Sequence, residues 1–171
     1  MTPLVFFRGS IMQITDAHEQ DFPACLPLLE QLWPGLSRRI AQEEHGLERY
    51  QAIFSRLTTG PNHSVILARE GAHVVALMDL TYREALYYGG DTTIIEDLVV
   101  DEAHQGQGIG TRLVERAEEL ARARGCRGIE LASDLHRDRA HRFWETLGYK
   151  REAYQFGKKL PTAATRPAGR A

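Results

Sequence analysis

Apolar residues recur along the chain with two periods, and the switches between them outline the elements. Residues 11–15 alternate and read as an edge strand. Over 22–33 the set Phe22, Cys25, Leu26, Leu28, Leu29 and Leu32 takes the helical period, with Pro23 tolerated in a first turn. Trp33-Pro34-Gly35 ends that helix. Leu47, Tyr50, Ile53, Phe54 and Leu57 outline a second helix, closed by Thr59-Gly60-Pro61. The stretch between the two reads as a loop that walls a substrate. Residues 64–69 and 74–82 read as a hairpin about Glu70-Gly71. Residues 92–100, TTIIEDLVV, form a β-branched strand.

A helix over 108–124 follows. It carries Leu113, Val114, Ala117, Leu120 and Ala121 on one face and charged residues on the other, and Gly125 stops it. Residues 128–133 read as a strand, 137–147 as a helix before Gly148, and 154–160 as a last strand. Residues 1–10 read as a leader outside the core, with Met12 a second candidate start. Residues 11–160 read as one domain and 161–171 as a disordered tail. Strands alternating with helices predict an α/β sheet covered on both faces.

Composition narrows the function classes. The chain has 171 residues, 43% hydrophobic and 26% charged, as expected of a soluble globular domain. A net charge of −2 gives no basic footprint for nucleic acid or a membrane surface. Cys25 and Cys126 make neither a metal-ligand spacing nor a disulfide framework, which points to a reducing cytoplasm. No apolar run approaches the roughly 18 residues of a membrane span. The opening MTPLVFFRGS lacks the basic start and the length of a secretory signal.

The loop between the 92–100 strand and the next helix carries Gly106, Gly108 and Gly110. Such a loop at a helix start suits an anion. Its first N–H groups lack helical partners, the dipole favours negative charge, and glycines let a phosphate approach the backbone. A Walker loop fails for want of a lysine. A dinucleotide fingerprint fits poorly, because the glycines are spaced by two and Thr111 stands where the third is needed, although Glu130 lies about where a ribose-binding acid would. A plain loop without ligand and a cradle for the pyrophosphate of coenzyme A remain.

The run Gln105-Gly106-Gln107-Gly108-Ile109-Gly110 resembles the [Arg/Gln]-x-x-Gly-x-[Gly/Ala] signature of the GCN5-related N-acetyltransferases (GNAT). A second segment, Ala140-x-x-Phe143-Trp144-x-x-Leu147-Gly148-Tyr149, resembles that family's A-x-x-[FL]-Y-x-x-[LC]-G-[FY]. The resemblance implies a single-domain, mixed and splayed central sheet with helices on both faces. It implies acetyl-CoA as co-substrate, its pantetheine arm paired with Leu98, Val99 and Val100. Its pyrophosphate would lie on the amides from Gln105, Gly106, Gln107, Gly108, Ile109 and Gly110, with the Thr111 hydroxyl. Phe143 and Trp144 would flank the coenzyme. The family often places an acidic tyrosine where this chain has Trp144, whose indole N–H donates a hydrogen bond but transfers no proton near neutral pH.

Acetyl transfer to a primary amine needs that amine neutral, whereas its ordinary pKa lies near the lysine value of about 10.4. Glu96 and Asp97, beside the expected thioester, are the candidate bases, and Glu96 is favoured for its reach. Strict strand alternation would turn the two to opposite faces, Glu96 with Leu98 and Val100, Asp97 with Val99. A purely electrostatic or amine-binding role is the competing reading of each. His104 and His136 read as exposed loop histidines, and Asp134 as a loop cap or a cation-binding residue.

Segments of the chain resemble small-molecule acetyltransferases of the aminoalkylphosphonate and aminoglycoside 6′ types, and also glucosamine-6-phosphate acetyltransferases. The expectation is therefore an N-acetyltransferase acting on a small cationic amine, with no metal, nucleic acid or membrane partner and a homodimer left open. A protein N-terminus or lysine as acceptor, a non-catalytic acyl-CoA sensor, and a nucleotide-binding oxidoreductase are the alternatives.

Overall fold

In the computed structural model the residues described are 4–7 and 10–160, with side chains from Met12 onward. They form two compact units, 1–131 and 132–171. The first holds a six-stranded sheet with strands in chain order. These are β1 (Leu4–Phe7), β2 (Ser10–Asp16), β3 (His63–Glu70), β4 (His73–Ala85), β5 (Gly90–Val100) and β6 (Gly128–Leu131). All neighbours are antiparallel except β5 and β6, which run parallel. Part of the expected leader is thus a strand: Leu4–Phe7 pairs with β2. The expected tail, 161–171, lies outside the described residues.

Helices α1 (Phe22–Leu32), α2 (Leu36–Gln42) and α3 (Gly46–Thr59) cover one face. Phe22, Cys25, Leu28 and Leu29, spaced for one helical side, pack with Leu36, Ile40 and Phe54 on Val65, Leu67, Leu77 and Val99 of the sheet. Each such side chain, fully buried, contributes about 1.5–3 kcal/mol. The opposite face, with Ile66, Ala68, Ala76, Met78 and Leu80, is fully buried. It is covered by α4 (Ile109–Ala123), whose Ile109, Leu113, Val114, Ala117 and Ala121 are buried. Arg124, at the end of α4, stacks 3.9 Å over the Tyr82 ring.

Helix α2 replaces the expected loop. It is short and has two buried apolar positions, so its period is too brief to read. Its start is held by the previous helix: Glu30 accepts from the Gly35 and Ser37 amides, each at 2.7 Å, and from the Ser37 hydroxyl at 2.8 Å. The second unit holds α5 (Asp138–Thr146). The strand expected over 154–160 is absent: this segment is neither helix nor strand, and Tyr154, Phe156 and Leu160 are exposed. Alternation alone makes no strand when no neighbour supplies the ladder.

Candidate active site

Strand β5 is paired on both sides only over its first half. Its parallel partners run from Thr92↔Gly128 to Ile95↔Leu131, where β6 ends. From Asp97 to Val100 it pairs with β4 alone, so among the described residues no strand pairs with the β6 side of Leu98, Val99 and Val100. The sheet therefore opens where the sequence called for a splay, and an extended ligand chain can add to such an edge.

The open edge runs into the glycine loop. After Val100 comes a short 3-10 turn, Glu102–His104, and then α4 begins. Gly106 and Gly108 have φ of +74° and +80°, the left-handed region that costs a side chain strain. Gly108 is the N-cap of α4 and no side chain caps the helix. Its first intrahelical bond comes from the Arg112 amide to the Gly108 carbonyl, which leaves the earlier amides of the turn aimed outward. The two glutamines brace this turn. Gln105 Nε2 donates to the Val100 carbonyl at 3.1 Å, and Gln107 Nε2 to the Ala103 carbonyl at 3.3 Å. Their side chains shape the loop and leave its backbone to face a ligand.

His104 anchors the turn from beneath, which corrects its reading as an exposed loop histidine. Its Nδ1 lies 2.6 Å from Asp101 Oδ2 and its Nε2 3.4 Å from Glu70 Oε2 on β3. Gln31 of α1 joins them, donating to Asp101 Oδ1 at 2.9 Å and accepting from the Glu102 amide at 3.1 Å. The Asp101 bond, more than the weaker one to Glu70, raises the His104 pKa above 6.5. Bonds from Gln31 and then His104 hold Asp101 below the usual carboxylate range. The two ends of this network are on different elements far apart in sequence, so spacing carried no sign of it.

The carboxylates sit at an irregularity in β5. Asp79 of β4 pairs with Asp97, but its neighbour Leu80 pairs with Ile95, so Glu96 is an extra residue on β5. This bulge overturns the strict alternation expected of Glu96 and Asp97. Cross-strand partners face the same way, so Ile95 with Leu80 and Leu98 with Met78 share the α4 face, and two residues lie between Ile95 and Leu98 where a regular strand has one. Glu96 is exposed and Asp97 half-buried, and both act on one group, Asp79.

Sequence reasoning missed Asp79. It is 8% exposed, and its Oδ1 is buried without a hydrogen-bond partner. Burial first, then the charges of Asp97 and Glu96, push it up to about 7, against a smaller pull from the Leu80 amide that donates to it. The MDLTY run offered one signal, an acid inside an apolar strand, but its pairing with Asp97 depends on the register.

In the second unit, Phe143 and Trp144 are in edge contact at 5.0 Å between ring centroids, and Trp144 meets Tyr149 at 5.2 Å. Asp134 proves to be a loop cap: its Oδ1 accepts from the His136 amide at 3.2 Å, and its carbonyl lies 2.9 Å from His141 Nε2. An open surface concavity lined by Ala17–Gln20, Thr58 and Thr59 holds none of the candidate site residues.

The acidic bulge, the open β edge and the uncapped helix start follow one another along the chain. The chain belongs to the acetyltransferase (GNAT) family, whose model matches residues 22–149. An aminoalkylphosphonate N-acetyltransferase of Salmonella typhimurium is 35% identical over 114 residues, 65% of this chain and 74% of that protein. A thialysine N-epsilon-acetyltransferase of Bos taurus is 25% identical over 149 residues, 81% of this chain and 84% of that one. A crystal structure from Bacillus halodurans, described as a transcriptional regulator, superposes with a TM-score of 0.77 at 30% identity and covers 87% of this chain and 99% of its own. An aminoglycoside N-acetyltransferase solved with CoA shares the fold at 18% identity, with a TM-score of 0.74 over 91% of this chain and 99% of that one. The protein is thus an acyltransferase of the N-acetyltransferase kind, and acetyl-CoA is its acetyl donor. Among the described residues no helix is long and apolar enough to cross a membrane.

Proposed function

We propose that this protein moves the acetyl group of acetyl-CoA to the primary amine of a small cationic molecule, by direct attack of the amine on the thioester. The observation that carries the reading is the continuity of the β5 edge with the α4 start. Pantetheine adds alongside Leu98, Val99 and Val100, and the pyrophosphate rests on the amides from Gln105 to Gly110 with the Thr111 hydroxyl. On this reading the thioester lies near the bulge, and Glu96 and Asp97 attract an ammonium and take its proton; the acidic charge both bring to that point supports it. For Phe143 and Trp144 the support is the sequence motif. Relatives named for an aminoalkylphosphonate, thialysine and glucosamine 6-phosphate support a small amine-bearing acceptor.

The test has two arms. Acetyl-CoA binding is measured by calorimetry in the wild type and in Gly110→Asp. Aspartate suits the first turn of a helix, so the variant keeps its fold while facing the phosphates with like charge. Its binding is expected to be lost. Thiol release is then followed with 2-aminoethylphosphonate, thialysine, glucosamine 6-phosphate and an aminoglycoside as acceptors. Unchanged binding in Gly110→Asp overturns the cofactor assignment, and binding without thiol release for every amine overturns the acceptor reading.

A further inference from the structure

Asp79 takes no part in the reaction as described above, yet the fold spends stability on it. A buried carboxyl oxygen without a partner is costly unless the group is protonated or something comes to it. Asp79 Oδ1 is in that position in a residue that is 8% exposed. The side chains whose charge shifts it are both acidic. In its row across the sheet it stands between Val65 of β3 and Asp97 of β5. Its row neighbour Val65, with Leu77 and Val99, belongs to the hydrophobic cluster that α1, α2 and α3 form with the sheet. Charge reaches Asp79 from β5, from Asp97 first and Glu96 second, and both are negative.

Two carboxyl groups paired across adjacent strands, one hidden and one half-exposed, form a unit that titrates together. We propose that Asp79 and Asp97 are a proton-sharing pair, in which Asp79 holds the proton that Asp97 takes from the incoming amine. The proposal rests on the reading that the amine meets the thioester beside Glu96 and Asp97. The active form is the doubly ionised pair. The ammonium binds against it as counter-charge. One N–H bond breaks, its electron pair stays on nitrogen, and an O–H bond forms on Asp97. The proton passes on to Asp79, so Asp97 is again charged beside the site. The neutral amine forms the C–N bond as the C–S bond breaks, and the second amine proton goes to the departing thiolate. After product leaves, the pair returns its proton to water. Per turnover, an ammonium and a thioester become an amide, a free thiol and one released proton.

Asp97 is the group that touches the amine, and Asp79 acts through it as a positioning residue. Its value near 7 suits the task, because a proton acceptor works best when its affinity for protons lies near the working pH. An unpaired carboxylate at the ordinary value of 3.8 would hold the amine's proton far less firmly.

The experiment is a carboxyl-carbon NMR titration of the whole protein labelled at aspartate, joined to a pH profile of kcat/KM for the fastest amine of the acceptor panel. In the wild type one aspartate signal is expected to move with a midpoint near 7. Asp79→Asn removes that signal. Asp97→Asn keeps it but weakens its proton affinity about tenfold, since the larger repulsive charge is gone. The acid limb of kcat/KM follows the same midpoint and moves by about one pH step or more in Asp79→Asn. A structural carboxyl would leave that limb in place. Absence of any aspartate titrating above about 5, or an acid limb unmoved in Asp79→Asn, overturns the shared proton while leaving the acetyltransferase reading intact. Absence of turnover with every amine overturns the acceptor reading and the proton path with it.

Discussion

The glycine turn and the acidic bulge stand at the two ends of one open strand edge, and they are built in opposite ways. The turn works through its backbone. Positive-φ glycines and an uncapped helix start aim N–H groups outward, and its side chains, Gln105 and Gln107, only brace it. The bulge works through side chains. Glu96, Asp97 and Asp79 are brought together by one extra residue in β5 and by the partnership of Asp79 with Asp97. A backbone site depends on which residues are absent, so it is local and shows as glycines. A side-chain site depends on which strands meet, and in what register.

Substitutions at the two ends should therefore fail differently. The largest effect is expected at the bulge. Asp97→Asn, which removes the proposed base, falls in turnover by about 10²–10⁴-fold near neutral pH and Glu96→Gln by less, with acetyl-CoA affinity unchanged in each. Steady-state rates across pH with one accepted amine check this, and a loss below tenfold in both removes acid–base work from the pair. Next comes the turn. Gly110→Asp places like charge against the pyrophosphate, which costs several kcal/mol, so acetyl-CoA binding weakens by about 10²-fold or more while the helix content seen by circular dichroism is kept.

A smaller effect concerns stability. Folded Asp79 holds its proton up to about 7, whereas its ordinary value is 3.8, so between these limits the folded chain carries a proton that the unfolded chain has lost. Its contribution therefore becomes less favourable as pH rises through that window. Asp79→Asn removes this decline and should gain on the wild type by about 2–3 kcal/mol between pH 5 and pH 8, read from urea unfolding. Parallel curves for the two proteins would show that Asp79 titrates normally.

The smallest effect belongs to His104, which couples the turn to β3. Its pKa is raised in the fold, so its stabilisation is full below about 6.5 and is lost as pH rises through the raised value. His104→Gln should weaken acetyl-CoA binding by less than about tenfold at pH 6 and by nothing measurable at pH 9, since a half-exposed ion pair contributes at most about 1 kcal/mol. Equal losses at both pH values would assign the effect to packing instead of charge.

How much was legible follows the same division. The long amphipathic helix α4, strands β3 to β5 and the glycine turn were all readable, because each repeats one period over many residues or breaks it with glycine. Helix α2 was not, since its cap is Glu30 of the preceding helix and its apolar set is Leu36 and Ile40. The 154–160 segment misled, because Tyr154 and Phe156 alternate as a strand would yet no strand pairs with them among the described residues. In the candidate site, Glu96 and Asp97 were singled out by their place in the strand that leads into the turn. Asp79 was not, and its separation from Asp97 in the chain explains why.

By itself, then, the sequence determined the local things: which stretches coil or extend, where a helix begins bare of side-chain caps, and that an anion suits that beginning. These follow from φ preferences and periodicity within a few residues. Only the tertiary structure decided which edge of β5 stays open and which carboxyls share a row. It also decided that Asp79 is buried and carries negative neighbours. Strand pairing sets those distances, and a single extra residue at Glu96 re-aims the site without leaving a mark in composition or period.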